Sequence, residues 1–284
     1  MIQVKNLSYT YLSTTNPAVK KINFSIQPGE IFGFLGPSGA GKSTTQKVLI
    51  RLLRDYQGNV NVLGKDLGMW GQDFFEQIGV SFELPNHYSK LTGLENLGYF
   101  SSLYQSEIRD IPDLLESVGL ENDGNMLVSQ YSKGMKNRLN VARAMLHNPE
   151  LLFLDEPTAG LDPVNARRIK DLCLEEKRAG KTIFLTTHDM TVADELCDRL
   201  AFIIDGELSL VDSPSSLKIK YGKPEVKVEF GPENELSIQT FPLQGLAENQ
   251  DYQGILKTNQ IRTMHTQEAT LEDIFIQVTG RTLI

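Results

Sequence analysis

The stretch Gly36-Pro37-Ser38-Gly39-Ala40-Gly41-Lys42-Ser43-Thr44 constrains this chain more than any other, because it fits the spacing G-x-x-x-x-G-K-[S/T]. Its flanks are the ones that spacing needs. Upstream, Ile31 to Leu35 is a short apolar run that reads as a buried strand. Downstream, Thr44 to Arg54 places Val48, Leu49, Leu52 and Leu53 on one helix face. Strand, glycine-rich loop and helix together predict a phosphate-binding loop. Gly36, Gly39 and Gly41 are expected to let the backbone turn tightly and bring its N–H groups to phosphate oxygens, helped by the positive end of the helix. Lys42 is expected to reach the β- and γ-phosphates, and the Ser43 hydroxyl to be a Mg²⁺ ligand. The expected ligand is a nucleoside triphosphate.

The rest of the chain reads as a scaffold for that loop. Ile2, Val4 and Leu7 lead into Tyr9 and Tyr11, and Val19, Ile22, Phe24 and Ile26 alternate up to the turn Pro28-Gly29-Glu30, so the first thirty residues read as strands. Tyr11 stands twenty-five positions before Gly36, where a ring can stack on an adenine. Tyr9 is a rival for that role, and packing at a strand edge is the plainer alternative. Ile78 to Phe82 is another short apolar strand, with Glu83 at its end. From Leu84 to about Ala144 the pattern turns mainly helical, with breaks at Pro85, Gly93, Pro112 and Gly119, which predicts a separate helical lobe.

Leu151 to Asp155 is an apolar run closing on a carboxylate, the way a nucleotide site places an acid at the carboxyl edge of a parallel sheet. Asp155 is expected to hold Mg²⁺, and Glu156 to act as general base on an attacking water. Thr182 to Thr186 is a further apolar strand, and His188 just past it is expected at the same sheet edge, as a γ-phosphate sensor. Leu200 to Val211 reads as a hairpin around Asp205-Gly206. Strands alternating with helices predict an α/β nucleotide-binding core.

Composition excludes more than it proves. With 36 acidic against 28 basic residues the net charge is −8, which weighs against nucleic acid as a partner. Cys173 and Cys197 have no metal-ligand spacing and read as structural residues of a reducing compartment. No leader-like segment follows Met1, and no window approaches the ~20 apolar residues of a membrane span. Composition shifts near Ser213. Beyond it, Val226 to Phe230, Ile238 to Phe241 and Ile255 to Thr258 read as alternating strands, and a last helix carries Leu271, Ile274, Phe275 and Val278 on one face. Thr270 with Asp273 would cap that helix and Gly280 would end it. The expected division is a nucleotide-binding domain over 1–218, with its helical lobe about 84–144, and a small accessory domain of strands and helix over 222–284.

Taken together, these residues resemble the ATPase subunits of ABC transporters over roughly the first three quarters of the chain. The match rests on the phosphate loop, a signature-like Tyr131-Ser132-Lys133-Gly134-Met135, the run Leu151 to Pro157, Ala159-Gly160-Leu161-Asp162, and His188. The resemblance implies a RecA-like sheet core with an N-terminal antiparallel β subdomain and the helical lobe. It also implies a head-to-tail pair of such domains with ATP sandwiched between them. Ser132, Lys133, Gly134 and Met135 would then contact the ATP of the other copy, and Asp162 would connect the two sites. The implied partners are a separate membrane-spanning permease and a second copy or a related ATPase. The implied location is the cytoplasmic face of a membrane.

Two motifs depart from the family pattern. Tyr131, Lys133 and Met135 replace three residues of the usual LSGGQ signature, while its serine and second glycine remain. Glu83 stands where the family has a glutamine that contacts Mg²⁺ and the attacking water; a carboxylate can still coordinate the ion but alters the local field. The form of the signature and the ending Ala269 to Gly280 resemble exporters of drugs and antibiotics. An importer ATPase and a soluble ABC ATPase acting on ribosomes or DNA are the alternatives. The ribosomal kind usually carries two nucleotide-binding halves and the DNA-repair kind a long coiled coil, and neither feature is seen here.

Overall fold

The computed structural model describes residues 1–232, 236–258, 260–266 and 269–281. They divide into two compact units, one from Met1 to Ser213 and one starting at Pro214. In the first, the strands Ile31–Leu35 and Leu151–Asp155 are buried along their whole length, as apolar runs without alternation are when a sheet is covered on both faces. They sit inside a six-stranded sheet with the order Glu207–Asp212, Arg199–Ile204, Ile31–Leu35, Thr182–Thr187, Leu151–Asp155, Ile78–Ser81. Five of the six strands run parallel. Glu207–Asp212 returns antiparallel through Asp205 and Gly206, both at positive φ, the geometry a two-residue hairpin requires.

A second, antiparallel sheet has the order Val19–Ile26, Ile2–Tyr9, Gln57–Val62, Lys65–Asp66. Its alternating residues Ile2, Val4, Ile22, Phe24 and Ile26 share one core with Phe32, Phe34, Phe153, Phe184 and Ile203 of the larger sheet. Phe24 lies 4.9 Å from Phe34 and 5.7 Å from Phe32 between ring centroids. Burying one such ring contributes about 2–3 kcal/mol, so this aromatic cluster does much to fix the sheet that carries the phosphate loop.

The helix after that loop spans Lys42–Leu49 and is shorter than its apolar spacing predicts. Arg51 takes a left-handed φ of 63° and turns the chain, which leaves Leu52 57% exposed instead of on the helix face. Between Leu84 and Met145 the lobe contains the helices Gly93–Ser101, Ile111–Ser117 and Lys133–Met145, joined by turns. Thr92 and Glu95 form a capping box on the first, and Asp110 caps the second.

His87 pins the start of the lobe to its long helix through a 2.9 Å bond between Nε2 and the Lys136 carbonyl. Burial lowers its pKa from 6.5 to about 4. Between those values the unfolded chain takes up a proton that the folded one refuses, so the folded state loses stability as pH falls from about 6.5 toward 4. Wild-type protein is expected to lose about 1–2 kcal/mol more than His87→Gln between pH 7.5 and 5.0. Urea unfolding at the two pH values checks this.

The second unit has a three-stranded antiparallel sheet with the order Ser237–Pro242, Glu225–Phe230, Ile261–Thr266. Val226, Val228, Phe241 and Ile255 form its core. The segment Ile255 to Thr258 is a correction to the strand expected there: it ends the helix Gln250–Thr258. Tyr252 and Ile255, one helical turn apart, pack on that core, and four alternating residues are too few to tell the two periods apart. The helix Leu271–Thr279 has the expected capping box of Thr270 and Asp273, and Gly280 ends it in a left-handed conformation. Among the described residues no helix is long and apolar enough to cross a membrane. Both cysteines are buried free thiols. Burial pushes Cys173 up to about 12 and raises Cys197 as well, so neither is a reactive thiolate.

Candidate active site

Four parallel strands end at one edge of the six-stranded sheet, and each delivers part of the site there. Ile31–Leu35 leads into the phosphate loop, Leu151–Asp155 ends on Asp155 and Glu156, Thr182–Thr187 runs into His188, and Ile78–Ser81 precedes Glu83. Ser38 to Thr44 line a cleft of about 200 Å³ together with Glu83, Asp155, Glu156 and His188. A larger open groove, about 1080 Å³, lies between Lys20–Asn23 and Glu207–Val211. It contains none of these groups, so its size carries no chemical meaning for this site.

Local sterics explain the glycines of the loop in two different ways. Gly39 and Gly41 sit at φ 80° and 110°, where a side chain is strained. Gly36, expected to serve the turn, has a different reason: a Cβ there would stand 2.1 Å from the Ile203 carbonyl oxygen. The loop starts where two backbones touch. Gly36→Ala is therefore expected to cost about 3 kcal/mol and Gly39→Ala about 1 kcal/mol, an order that urea denaturation of the two variants checks.

Lys42 is 8% exposed and folds back so that Nζ donates to the carbonyls of Gly36 and Pro37. Burial lowers its pKa, while the carboxylates of Glu156, Asp155 and Glu83 oppose that shift. Tyr11 reaches the loop from outside the cleft: its hydroxyl lies 3.1 Å from Thr44 Oγ1, and its ring meets Tyr9 edge-on at 5.0 Å. The pair is thus anchored to the far end of the loop through Tyr11. Gly36 and Pro37 support the loop without lining the cleft.

The two carboxylates are buried, Asp155 to 5% and Glu156 to 6% exposure. Thr186 Oγ1 donates to Asp155, and Thr187 Oγ1 donates to Glu156 Oε2 at 3.1 Å. His188 Nδ1 lies 2.7 Å from Glu156 Oε1. An ionised carboxylate only accepts, so Nδ1 donates in this contact. Glu156 has φ 49°, left-handed for a residue with a side chain and directly before a proline. Such a conformation costs of order 1–3 kcal/mol and persists where its surroundings dictate it; here a 2.9 Å bond from its N–H to the Thr186 carbonyl does so. The threonine pair is the part of this cluster that sequence reasoning missed. Its only signal was a doublet of hydroxyls at the end of a strand that pairs with the acidic one.

Ser132, Lys133, Gly134 and Met135 do not line the cleft of their own chain. Ser132 caps the helix Lys133–Met145 by accepting from the Met135 N–H at 3.1 Å. Ser132 and Lys133 are exposed at that helix N-terminus. Tyr131 is buried and donates to the Asp123 carbonyl at 2.8 Å, so the aromatic at this departure from LSGGQ anchors the segment. Asp162 caps the helix Pro163–Arg178 by accepting from Val164 and Asn165.

The donors at the cleft, a hydroxyl and carboxylates, are hard oxygens of the kind Mg²⁺ takes while keeping water and phosphate ligands. Among the described residues no cluster of three or more His, Cys, Asp or Glu side chains forms a closed metal cage. The chemistry of the donor set fits an ion shared with a polyphosphate.

Residues 19–159 match the ABC transporter family, and residues 225–268 match the fluoroquinolone efflux ABC transporter C-terminal domain. The fluoroquinolones export ATP-binding protein of Mycobacterium tuberculosis is 53% identical over 284 residues, covering 100% of this chain and 94% of that protein. The Nod factor export ATP-binding protein I of Neorhizobium galegae is 35% identical over 289 residues, 96% of this chain and 83% of that one. A dimeric post-hydrolysis ATP-binding cassette bound to ADP and Pi superposes with a TM-score of 0.69 at 28% identity, over 75% of this chain and 98% of its own. Alignment of this extent with export ATPases, on a cassette fold whose sheet edge gathers the phosphate loop and its acids, means that the chain belongs to the ATP-hydrolysing, ATP-binding subunits of ABC transporters.

Proposed function

We propose that this subunit drives export of a fluoroquinolone-like amphiphilic drug through a separate membrane-spanning permease, working at the membrane surface as a homodimer or paired with a related ATPase. The observation that carries the reading is that similarity to the Mycobacterium tuberculosis export protein extends through the second unit, where residues 225–268 match a domain named for fluoroquinolone efflux. We read residues from about Gly222 onward as an accessory domain that marks this subfamily.

The loop Gly36 to Thr44 binds the triphosphate, Lys42 faces the β- and γ-phosphates in the cleft, and Tyr11 stacks on the adenine beside it. Ser43, Asp155 and Glu83 hold Mg²⁺, which when bound offsets phosphate charge. Glu156 takes the proton of the attacking water, and His188 holds that carboxylate through Nδ1 while its exposed side meets the γ-phosphate. Ser132, Lys133, Gly134 and Met135 close on the ATP of the other copy, which is supported by their place at a helix N-terminus, where Ser132 and Lys133 are exposed. Asp162 links the two sites.

The test is drug accumulation in cells that co-express this chain with its membrane subunit. Cells with the wild-type pair should retain several-fold less fluoroquinolone than cells with the Glu156→Gln pair. Equal accumulation, with hydrolysis intact, would remove fluoroquinolones as the substrate class.

A further inference from the structure

The strand Thr182–Thr187 ends in two hydroxyls, and it runs parallel to Leu151–Asp155 with Asp155 opposite Thr186. Each acid of the pair Asp155-Glu156 is therefore met by one threonine, Thr186 at the first and Thr187 at the second. Thr187 is fully buried. Its Oγ1 accepts the Asp189 N–H at 3.0 Å, which fixes the rotor, so its single proton is left for Glu156 Oε2 at 3.1 Å. The other oxygen, Oε1, is held by His188 Nδ1. The carboxylate is gripped at both ends from one short segment, and only the histidine end is exposed to the cleft: the His188 side chain is 62% exposed.

We propose that Thr187 is a positioning residue for Glu156. Its hydroxyl sets the plane of the carboxylate through Oε2, while His188 holds Oε1 and meets the nucleotide with its exposed side. The proposal rests on the reading of Glu156 as the base. Thr187 touches no substrate and acts only through that side chain. A base must be held within a fraction of an ångström of its water, and misplacement by about 1 Å can cost ~10²-fold.

The experiment compares Thr187→Val, which keeps the shape and removes the hydroxyl, with Thr187→Ser, which restores it. Steady-state ATPase of the purified protein should show kcat down 10–100-fold in Thr187→Val, with KM for ATP within twofold of wild type. Thr187→Ser should recover kcat to within about threefold. Nucleotide-free crystal structures should show the Glu156 carboxylate in a single rotamer in wild type and Thr187→Ser, and displaced from its His188 contact or split in Thr187→Val. The proposal is overturned if Thr187→Val keeps wild-type kcat, which is what a purely structural methyl would give, or if Thr187→Ser falls as far as Thr187→Val. Glu156→Gln assayed alongside separates the two levels. If that variant is dead while Thr187→Val is normal, only the positioning role fails. If that variant turns over at the wild-type rate, the reading of Glu156 fails and takes the role of Thr187 with it.

Discussion

Glu156→Gln is expected to lower the rate of ATP hydrolysis by about 10²–10⁴-fold, the range a positioned general base contributes. The amide has the shape of the carboxylate, and its carbonyl oxygen can still accept from Thr187 Oγ1. The fold should hardly notice: the left-handed backbone at this position is tied by its own N–H to the Thr186 carbonyl, which the substitution does not touch. Binding should be kept or improved, because one of the three carboxylates beside Lys42 is gone from a cleft that must take a polyanion. ATP that binds without being cleaved should then accumulate a closed dimer, seen as a shift to twice the mass in gel filtration with ATP and not with ADP. Hydrolysis within a few-fold of wild type would remove Glu156 as the base and leave a water-borne route as the alternative.

The sequence made the cleft legible because its parts are local. The phosphate loop, the run Leu151 to Asp155 and His188 each lie in a short window whose apolar pattern also says which end of a strand they occupy. Parallel neighbours then bring those ends to one edge without further information. What stayed hidden depends on contacts between segments far apart in the chain. The reason for Gly36 is the Ile203 carbonyl, which arrives from a strand about 170 residues on. The hydroxyls of Thr186 and Thr187 matter only through the register that sets Thr186 opposite Asp155. The short helix after the loop shows the same limit. Its apolar spacing continues past Leu49, but Arg51 turns left-handed and Leu53 joins the core from outside the helix. At Ile255 the pattern misled in the other direction, because burial against a small sheet needed only two residues one turn apart.

Lys42→Met should separate binding from folding. In the nucleotide-free protein the ammonium is a cost as much as an asset: it is buried, its pKa is lowered for that reason, and its partners are two carbonyls of its own loop. Removing it relieves the desolvation but leaves those carbonyls without their donor, and the two effects oppose each other. Stability to urea should therefore stay within about 1 kcal/mol of wild type. Affinity should not. Without Lys42 the cleft presents Glu83, Asp155 and Glu156 to an incoming triphosphate with no lysine among its lining residues. Loss of a charge-assisted contact of this kind costs about 3 kcal/mol, or roughly 10²-fold in Kd. A fluorescent ATP analogue titrated at fixed Mg²⁺ measures it. Weak binding with a wild-type unfolding midpoint would mean that the lysine is retained for its ligand at no gain to the fold. Binding within threefold of wild type would mean that the backbone N–H groups of Gly39 to Thr44 hold the phosphates without it.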